Sequence, residues 1–550
     1  MVQFFTHQMC AATQPEIAAG MAHSLFLKSD GSVWSCGANW GGQLGDGTFS
    51  DRHEPVRVID NVKAIAAGEM HSLFVKADGT AWAVGAGDNG RLGDGSSLTR
   101  TTPIQVPISG VKSVAAGKNF SLFLKDDGTV WGCGDRIGLG LGESYSGSTV
   151  VPIQIPISNV TAISAGYSHS LFLKADETAW ACGFGGGTVW GGNPLGDGTR
   201  QTAYLPKQIL ADCKFVSASC GDQTGSHSLF LSTDGTVNAT GGNGWGQLGD
   251  GTREGRNAPV RTLISGPVKR LATGSYQSFF IKEDLSVWAC GYDQRGELGI
   301  GGSGNWRATP VRVFEGAISV ASGRTHTIFL KADGTAWAAG MNDRGALGDG
   351  SWTDQTIPVR IMSLGTMLNV TSSTGGTVTG GGAFNPNDIA ELTAAPALGY
   401  LFAGWSGDVT SLDNPLTVTM DSSKWIQAVF TRNTTDLDQD GVSFYDEVVI
   451  HKTNPDLADS DGDGFDDLFE INTGFDPSLA SSTPDLLSSI RTAVEFRFNA
   501  AAGVSYRIEA STDLNQWDVI EPVIIGESGV VTRFYSTENM PKRYFRVRRN

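Results

Sequence analysis

The stretch Ile65-Ala66-Ala67-Gly68, His71-Ser72-Leu73-Phe74-Val75-Lys76, Asp78-Gly79-Thr80-Ala81-Trp82, Leu92-Gly93-Asp94-Gly95 and Pro103-Ile104-Gln105-Val106 is one copy of a phrase that recurs along the chain. Seven copies of about fifty residues run between Gly20 and Gly350 with the same parts in the same order. A period of that size marks a supersecondary unit used repeatedly. The anchoring glycines are Gly20, Gly68, Gly117, Gly166, Gly221, Gly274 and Gly323, each followed by an apolar run such as Leu25-Phe26-Leu27 or Ile328-Phe329-Leu330. These runs are too short for helices and rich in strand formers, so they read as strands. Asp-Gly pairs at Asp30, Asp78, Asp127, Asp234 and Asp333 punctuate them. Such pairs signal hairpins, with both central residues expected at positive φ. Asp176-Glu177 and Asp284-Leu285 depart from the pair, which predicts looser turns there. Trp34, Trp82, Trp131, Trp180, Trp288 and Trp337 follow, with Asn238 in the fifth copy; one large ring per unit suits packing between neighbouring small sheets.

Four short strands per copy, none able to bury both faces alone, are satisfied by radial stacking. The expectation is an all-β chain: a seven-bladed β-propeller over residues 1–365, then small β-rich modules and a calcium-loop linker. The first copy begins at Glu16 without the Pro-Val-type strand that precedes the others, while Ile357-Pro358-Val359-Arg360-Ile361 follows the last copy with no repeat left to join. That arrangement predicts that the last strand completes the first blade. Gly37-Ala38-Asn39 with Gly42-Gln43-Leu44-Gly45, and Gly241-Gly242-Asn243 with Gly246-Gln247-Leu248-Gly249, strongly resemble the regulator of chromosome condensation repeat family. The resemblance covers roughly two thirds of the chain and implies the same propeller.

The net charge of -17 is unevenly spread, with about -13 of it in residues 433–485. Without a basic stripe in the propeller, nucleic acid is excluded as a partner, because its binding draws on clustered Lys and Arg. Cys36, Cys133, Cys182 and Cys290 share one repeat position, held elsewhere by Val84, Thr240 and Ala339, and read as a small buried site. Cys213 and Cys220 either pair in an oxidising compartment or remain two core thiols. No apolar run spans a bilayer, and Met1 to Thr13 lacks the basic start and apolar core of a secretion signal. The chain is therefore either cytoplasmic or preceded by an export signal upstream of its recorded start.

Residues 366–432 read as a β-rich module, with strands expected at Gly375–Val378, Ala390–Ala394 and Leu416–Met420. Gly399-Tyr400-Leu401-Phe402-Ala403-Gly404-Trp405-Ser406-Gly407-Asp408, then Asn414-Pro415-Leu416-Thr417 and Ala428-Val429-Phe430, resemble the divergent internalin B-repeat modules of bacterial surface proteins. That family implies a small spacer or adhesive unit. Trp405 is read as a core ring under a tight turn, with glycan stacking as the alternative.

Residues 433–485 carry the most explicit chemistry. Asp436, Asp438 and Asp440 with Gly441 and Glu447, and Asp459, Asp461 and Asp463 with Gly464 and Glu470, both follow the twelve-residue calcium-loop pattern, 23 residues apart. Alternating carboxylates aim successive oxygens at one hard cation, the sixth-position glycine allows the bend, and the twelfth-position glutamate can bind through both oxygens. The backbone carbonyls of Val442 and Phe465 would supply the seventh-position ligands. A paired EF-hand is not expected, because the strand-like run Trp425–Thr431 enters the first loop and Ser443 and Asp466 stand at the apolar eighth position. Asn454-Pro455 and Asp476-Pro477 make the segment resemble bacterial thrombospondin type 3 repeats, a family in which calcium stiffens a stalk. Residues 486–550 alternate as strands at Val494–Phe498, Tyr506–Ala510 and Tyr544–Arg548, predicting a small β-sandwich. Ser511 to Trp517 resembles terminal modules of large exported bacterial proteins, and Arg546, Arg548 and Arg549 read as the polar face of an edge strand.

His23, His71, His169, His227 and His326 recur at one repeat position, with Phe120 and Gln277 in the other copies. Catalysis needs one singular constellation, so the repetition points to a scaffold contact. Gly244-Trp245-Gly246-Gln247-Leu248-Gly249 spells a dinucleotide fingerprint but has no helix after it and is set aside. The expected function is non-enzymatic: an extracellular or cell-surface bacterial adhesion protein, monomeric, whose propeller contacts a protein or glycan on a stalk stiffened by Ca2+. The loops Gly185–Asn193 and Asp222–Ser226, which break the repeat length, are the candidate contacts. The alternatives are an intracellular guanine-nucleotide exchange regulator of a small GTPase and a polysaccharide-active enzyme; shared fold carries neither activity across.

Overall fold

A computed structural model describes residues 13–186, 191–222, 225–302, 304, 306–482, 493–526, 528–536 and 544–550. The chain divides into two compact units, one of Met1–Thr371, Val378–Ala394 and Gly404–Ala428, the other of Ser372–Thr377, Ala395–Ala403 and Val429–Asn550. In the first unit the repeat folds into seven four-stranded antiparallel sheets, each with its strands in chain order. The first blade is Glu16–Ala19, His23–Leu27, Val33–Gly37 and Arg52–Ile59. The last is Ala317–Ser322, His326–Lys331, Thr335–Gly340 and Gln355–Ser363.

The second strand explains why its sequence does not alternate. It is buried along its whole length because it has a blade on either side. Leu25 and Leu27 enter one core with Val62, Ile65 and Phe74 of the second blade. Phe26 points the other way, into a core with Ile328 and Leu330 of the seventh. Period-two geometry thus sends successive apolar side chains to different cores. The repeated tryptophans flank these cores half-buried, as Trp82 and Trp131 do.

The Asp-Gly turns hold their shape through one small relay. Asp78 Oδ1 accepts from both Thr80 N (2.9 Å) and Thr80 Oγ1 (2.7 Å), and Thr80 Oγ1 accepts from Trp82 Nε1 (3.2 Å). Only the glycine takes positive φ, 80° at Gly79, whereas Asp78 does not, contrary to the expectation for both central residues. The bonds Gly79 N to Lys76 O and Lys76 N to Thr80 O describe a tight turn followed by a one-residue bulge, which asks for a left-handed backbone only at its last position. The two departures are not looser. Glu177 (φ 61°) and Leu285 (φ 62°) adopt the same left-handed backbone, with the same bonds from Thr178 to Asp176 and from Ser286 to Asp284.

The expected closure is overturned as well. Gln355–Ser363 pairs with Thr335–Gly340 of its own blade, through Trp337↔Arg360 and Ala338↔Val359, so every blade is one contiguous stretch. The long loop between third and fourth strands lets the chain return beside the strand it has just left, and no strand is shared. The ring closes instead by a joint used at every boundary. A hydroxyl on the second strand donates to a carbonyl in the preceding blade's loop: Ser72 to Gln43 O (2.8 Å), Ser170 to Gly138 O (2.5 Å), Thr327 to Glu297 O (2.8 Å) and, across the seam, Ser24 to Ala346 O (2.6 Å). Cys36, Cys133, Cys182 and Cys290 add their thiols to the same carbonyls, in line with the small buried site read from the sequence. Cys213 and Cys220 are free thiols.

Beyond the propeller, strands at Gly376–Thr379, Ile389–Pro396 and Leu416–Thr419 match those expected. Trp405 lies within the strand Tyr400–Gly407, 4% exposed, with its Nε1 donating to Asp413 O (2.7 Å), which removes glycan stacking there. Near the C-terminus, Ala493–Ala500 pairs with Gly529–Ser536, and Ser505–Ser511 pairs with both Asp518–Ile525 and Tyr544–Arg549. Arg507, Arg546 and Arg548 gather on the buried Glu509 rather than forming a plain polar face. Helices among the described residues are short, and none is long and apolar enough to cross a membrane.

Candidate metal centre and central opening

The two acidic loops fold alike. Asp436 accepts from Gln439 N (2.8 Å) and Gly441 N (3.0 Å), and Asp459 accepts from Gly462 N (2.8 Å) and Gly464 N (2.9 Å). Asp438 and Asp440 each give one oxygen to a backbone N–H, of Asp440 and Val442; Asp461 and Asp463 do the same toward Asp463 and Phe465. The other oxygen of each of these four aspartates is buried without a partner. Candidate ligand atoms of Asp436, Asp438 and Asp440 lie within 4.8 Å of one another, as do those of Asp459, Asp461 and Asp463.

Glu447 and Glu470 sit in the first turns of the helices Asp446–His451 and Asp467–Thr473, both 0% exposed, and all four of their carboxylate oxygens lack a partner. Burial, reinforced by the neighbouring aspartates, raises both carboxyls to about 7. Buried carboxylates without donors are costly. An all-oxygen set with this spacing fits a hard divalent cation. Val442 and Phe465 occupy the seventh position, their N–H groups held by Asp440 and Asp463.

The polar residues at the eighth position have a reason the sequence reading missed. Asp466 caps its helix by accepting from Phe469 N (2.7 Å), and Ser443 Oγ accepts from Asp446 N (3.2 Å). In the first loop the Ser443-x-x-Asp446 spacing was the available signal. Asp467, also missed, is fully buried and binds Ser460 N and Oγ, both at 2.8 Å.

The recurring histidines are a scaffold contact. His23 Nε2 meets Ser72 Oγ, His71 meets Ser121, His169 meets Ser228 and His326 meets Ser24, each at 3.0 Å, and His227 meets Ser278 at 2.9 Å. Each serine spends its proton on a carbonyl, so each histidine donates from Nε2, and burial favours its neutral form. Burial lowers His23 and His169 to about 3 and His227 and His326 to about 4.

The turns after the first strands encircle a central opening. Gly20 and Gly323 approach so closely that a Cβ on Gly323 would lie 2.2 Å from Gly20 O. Met21 N donates to Gly68 O (3.3 Å), Tyr167 N to Ser219 O (3.0 Å) and Arg324 N to Met21 O (3.3 Å). The residue beside each glycine lines a cavity of about 130 Å³: Met21, Glu69, Lys118, Tyr167, Ser275 and Arg324, with Cys220 and Asp222. Lys118 lies over the Tyr167 ring at 4.3 Å, and Tyr276 Oη donates to Asp222 Oδ2 (2.7 Å). One sequence-derived contact loop thus reaches the opening through Asp222; residues 187–190 and 223–224 of the two loops lie outside the described residues.

Comparison with known proteins bears on these parts separately. The family models for the Regulator of chromosome condensation (RCC1) repeat match residues 30–75, 127–173 and 333–378, and residues 16–43, 111–135 and 317–346. The Divergent InlB B-repeat domain matches residues 366–434. Protein RCC2 homolog of Xenopus laevis is 32% identical over 131 residues, 22% of this chain and 25% of that protein. RCC1 domain-containing protein RUG3, mitochondrial, of Arabidopsis thaliana is 29% identical over 131 residues, 22% of this chain and 29% of that protein. The match therefore spans between a quarter and a third of these relatives. Among solved structures, Prp20p from Saccharomyces cerevisiae superposes with a TM-score of 0.53 at 22% identity, covering 64% of this chain and 88% of that one. Human WBSCR16 gives 0.53 at 22%, covering 62% and 96%. At that identity the likeness shows the fold.

Proposed function

From a propeller of regulator of chromosome condensation repeats followed by a divergent InlB B-repeat domain, we propose that the chain is an exported bacterial binding protein. In this reading the propeller face around the opening is an interaction platform for a protein or glycan, and calcium stiffens the acidic segment. The observation that carries it is the pair Glu447 and Glu470, both fully buried with no donor to either oxygen, in two loops that repeat each other's bonds. Asp436, Asp438, Asp440 and Glu447 would hold one ion and Asp459, Asp461, Asp463 and Glu470 the other. Bound calcium supplies positive charge to carboxylates that otherwise repel, fixing a segment the chain alone leaves strained. Extracellular modules meet calcium at concentrations that fill such loops, whereas resting cytosol does not, which is why the reading includes export.

Calorimetric titration of calcium into the full chain tests it. Saturable binding is expected, with about half the stoichiometry left in Asp438→Ala or Asp461→Ala; no heat in the parent chain would refute the calcium assignment. Crosslinking capture from intact cells, with the propeller as bait, tests the platform. The yeast neighbour Prp20p has binding properties toward Gsp1p and histones; accelerated nucleotide release from a GTPase by this chain would replace the platform with that activity.

A further inference from the structure

One sector of the face bearing the opening is built unlike the rest. The turn after a blade's first strand and the loop after its third emerge at the same end of the sheet, so Tyr276, Tyr292, Trp245, Arg253, Trp306 and Arg324 share that face. Their rings form a continuous strip. Tyr276 and Tyr292 have centroids 6.2 Å apart, and Trp245 meets Tyr292 edge-on at 5.0 Å. Arg253 lies between two indoles, 5.9 Å from Trp245 and 4.8 Å from Trp306. Trp245 is 37% exposed.

Charge separates this strip from its surroundings. Arg256, Arg295 and Arg344, on the same face, each have a carboxylate partner, Asp250, Asp354 and Asp51 respectively. Arg253, between the two indoles, and Arg324, beside Tyr276 at the other end, are exposed, and neither has an ion-pair partner among the described residues. Arg253 Nε is held by Gly244 O at 2.7 Å, which orients the guanidinium without neutralising it. Hydrogen-bonding groups rim the rings: Tyr292 Oη with Gln294, and Tyr276 Oη with Asp222.

Resting on the platform reading, we propose that this strip binds an acidic saccharide chain. A pyranose ring has an apolar CH face and a polar rim, and flat aromatic rings edged by hydroxyl, amide and carboxylate groups complement both. Two guanidiniums without a carboxylate partner, one between the indoles and one beside Tyr276, match carboxylates borne along such a chain. A peptide would use the rings without needing both arginines; a nucleic acid would need a broad basic field that this acidic chain lacks.

Affinity electrophoresis of the full chain decides it, in gels containing hyaluronate, alginate or polygalacturonate, with hydroxyethyl cellulose as a neutral chain and polyphosphate as an anion without sugar rings; a chelator keeps the acidic chains from gelling. Retardation is expected in at least one acidic polysaccharide. It should weaken at least fivefold in Trp245→Ala and in Arg253→Gln and stay unchanged in Trp425→Ala, an exposed ring outside the propeller. Thermal melts confirm that the variants fold. No retardation in any acidic gel, equal retardation by polyphosphate or hydroxyethyl cellulose, or retardation of the two strip variants as strong as that of the parent chain overturns the proposal. Protein captured from intact cells would still uphold the platform in that case, so the two failures are distinct.

Discussion

Glu177 and Leu285 hold a backbone that the other five blades give to glycine, at φ between 77° and 84°. A left-handed residue with a Cβ costs about 1–2 kcal/mol. Glu177→Gly, at an exposed turn, is therefore expected to stabilise the propeller by about 1 kcal/mol, read as a higher urea midpoint at unchanged slope. The histidines give a pH prediction. Burial holds the folded values of all five below the ordinary 6.5, so they contribute nothing at neutral pH, and the penalty grows as pH falls below about 6.5, where the unfolded chain takes up protons the folded chain refuses. Glu16 and Glu297, raised to about 7 by burial, act in the opposite sense as pH falls from about 7 to 4.5. The diagnostic is thus a difference. His71→Gln, which places there the residue that Gln277 supplies at the equivalent position, should lose less stability than the parent between pH 6.5 and 4.5, and parallel melting curves would refute the assignment. At this scale the repeated residues were legible as positions, and the histidines as a scaffold contact, but their partners were not, because a one-dimensional pattern does not say which hydroxyl or carbonyl faces Asp78 or His71.

At the scale of elements, the joints between blades are the distinctive structure. The seam between seventh and first blades uses Ser24, His326 and Ala346 in the same way that an internal boundary uses Ser72, His23 and Gln43. Removing one hydroxyl strands a buried imidazole donor and a carbonyl, at about 1–3 kcal/mol. Ser24→Ala and Ser72→Ala should therefore lower stability by similar amounts in denaturant titrations; a much larger loss at Ser24 would mark the seam as special. The period of the repeat was legible, and so was the number of blades. Its phase was not: the Pro-Val-type strand can be assigned to the copy before it or after it, and only the pairing of Trp337 with Arg360 decides. The residues that line the opening were not legible, because they vary from copy to copy; their place beside each constant glycine was the available sign.

For the molecule as a whole, the acidic segment is where environment should act. Without calcium, Glu447 and Glu470 remain buried beside like charges. Chelation should thus open residues 433–482 to proteolysis several-fold faster while the propeller persists; equal cleavage rates with and without calcium would refute the stiffening. The twelve-residue spacing was legible in full because each acidic set comes from one short stretch, whereas the aromatic strip assembles from several blades and has no local signature.

The independence of the blades has an evolutionary corollary. Since each sector is encoded by one uninterrupted stretch and every junction uses the same handshake, unequal crossing-over could add or drop a whole sector in frame without first rebuilding a damaged neighbour.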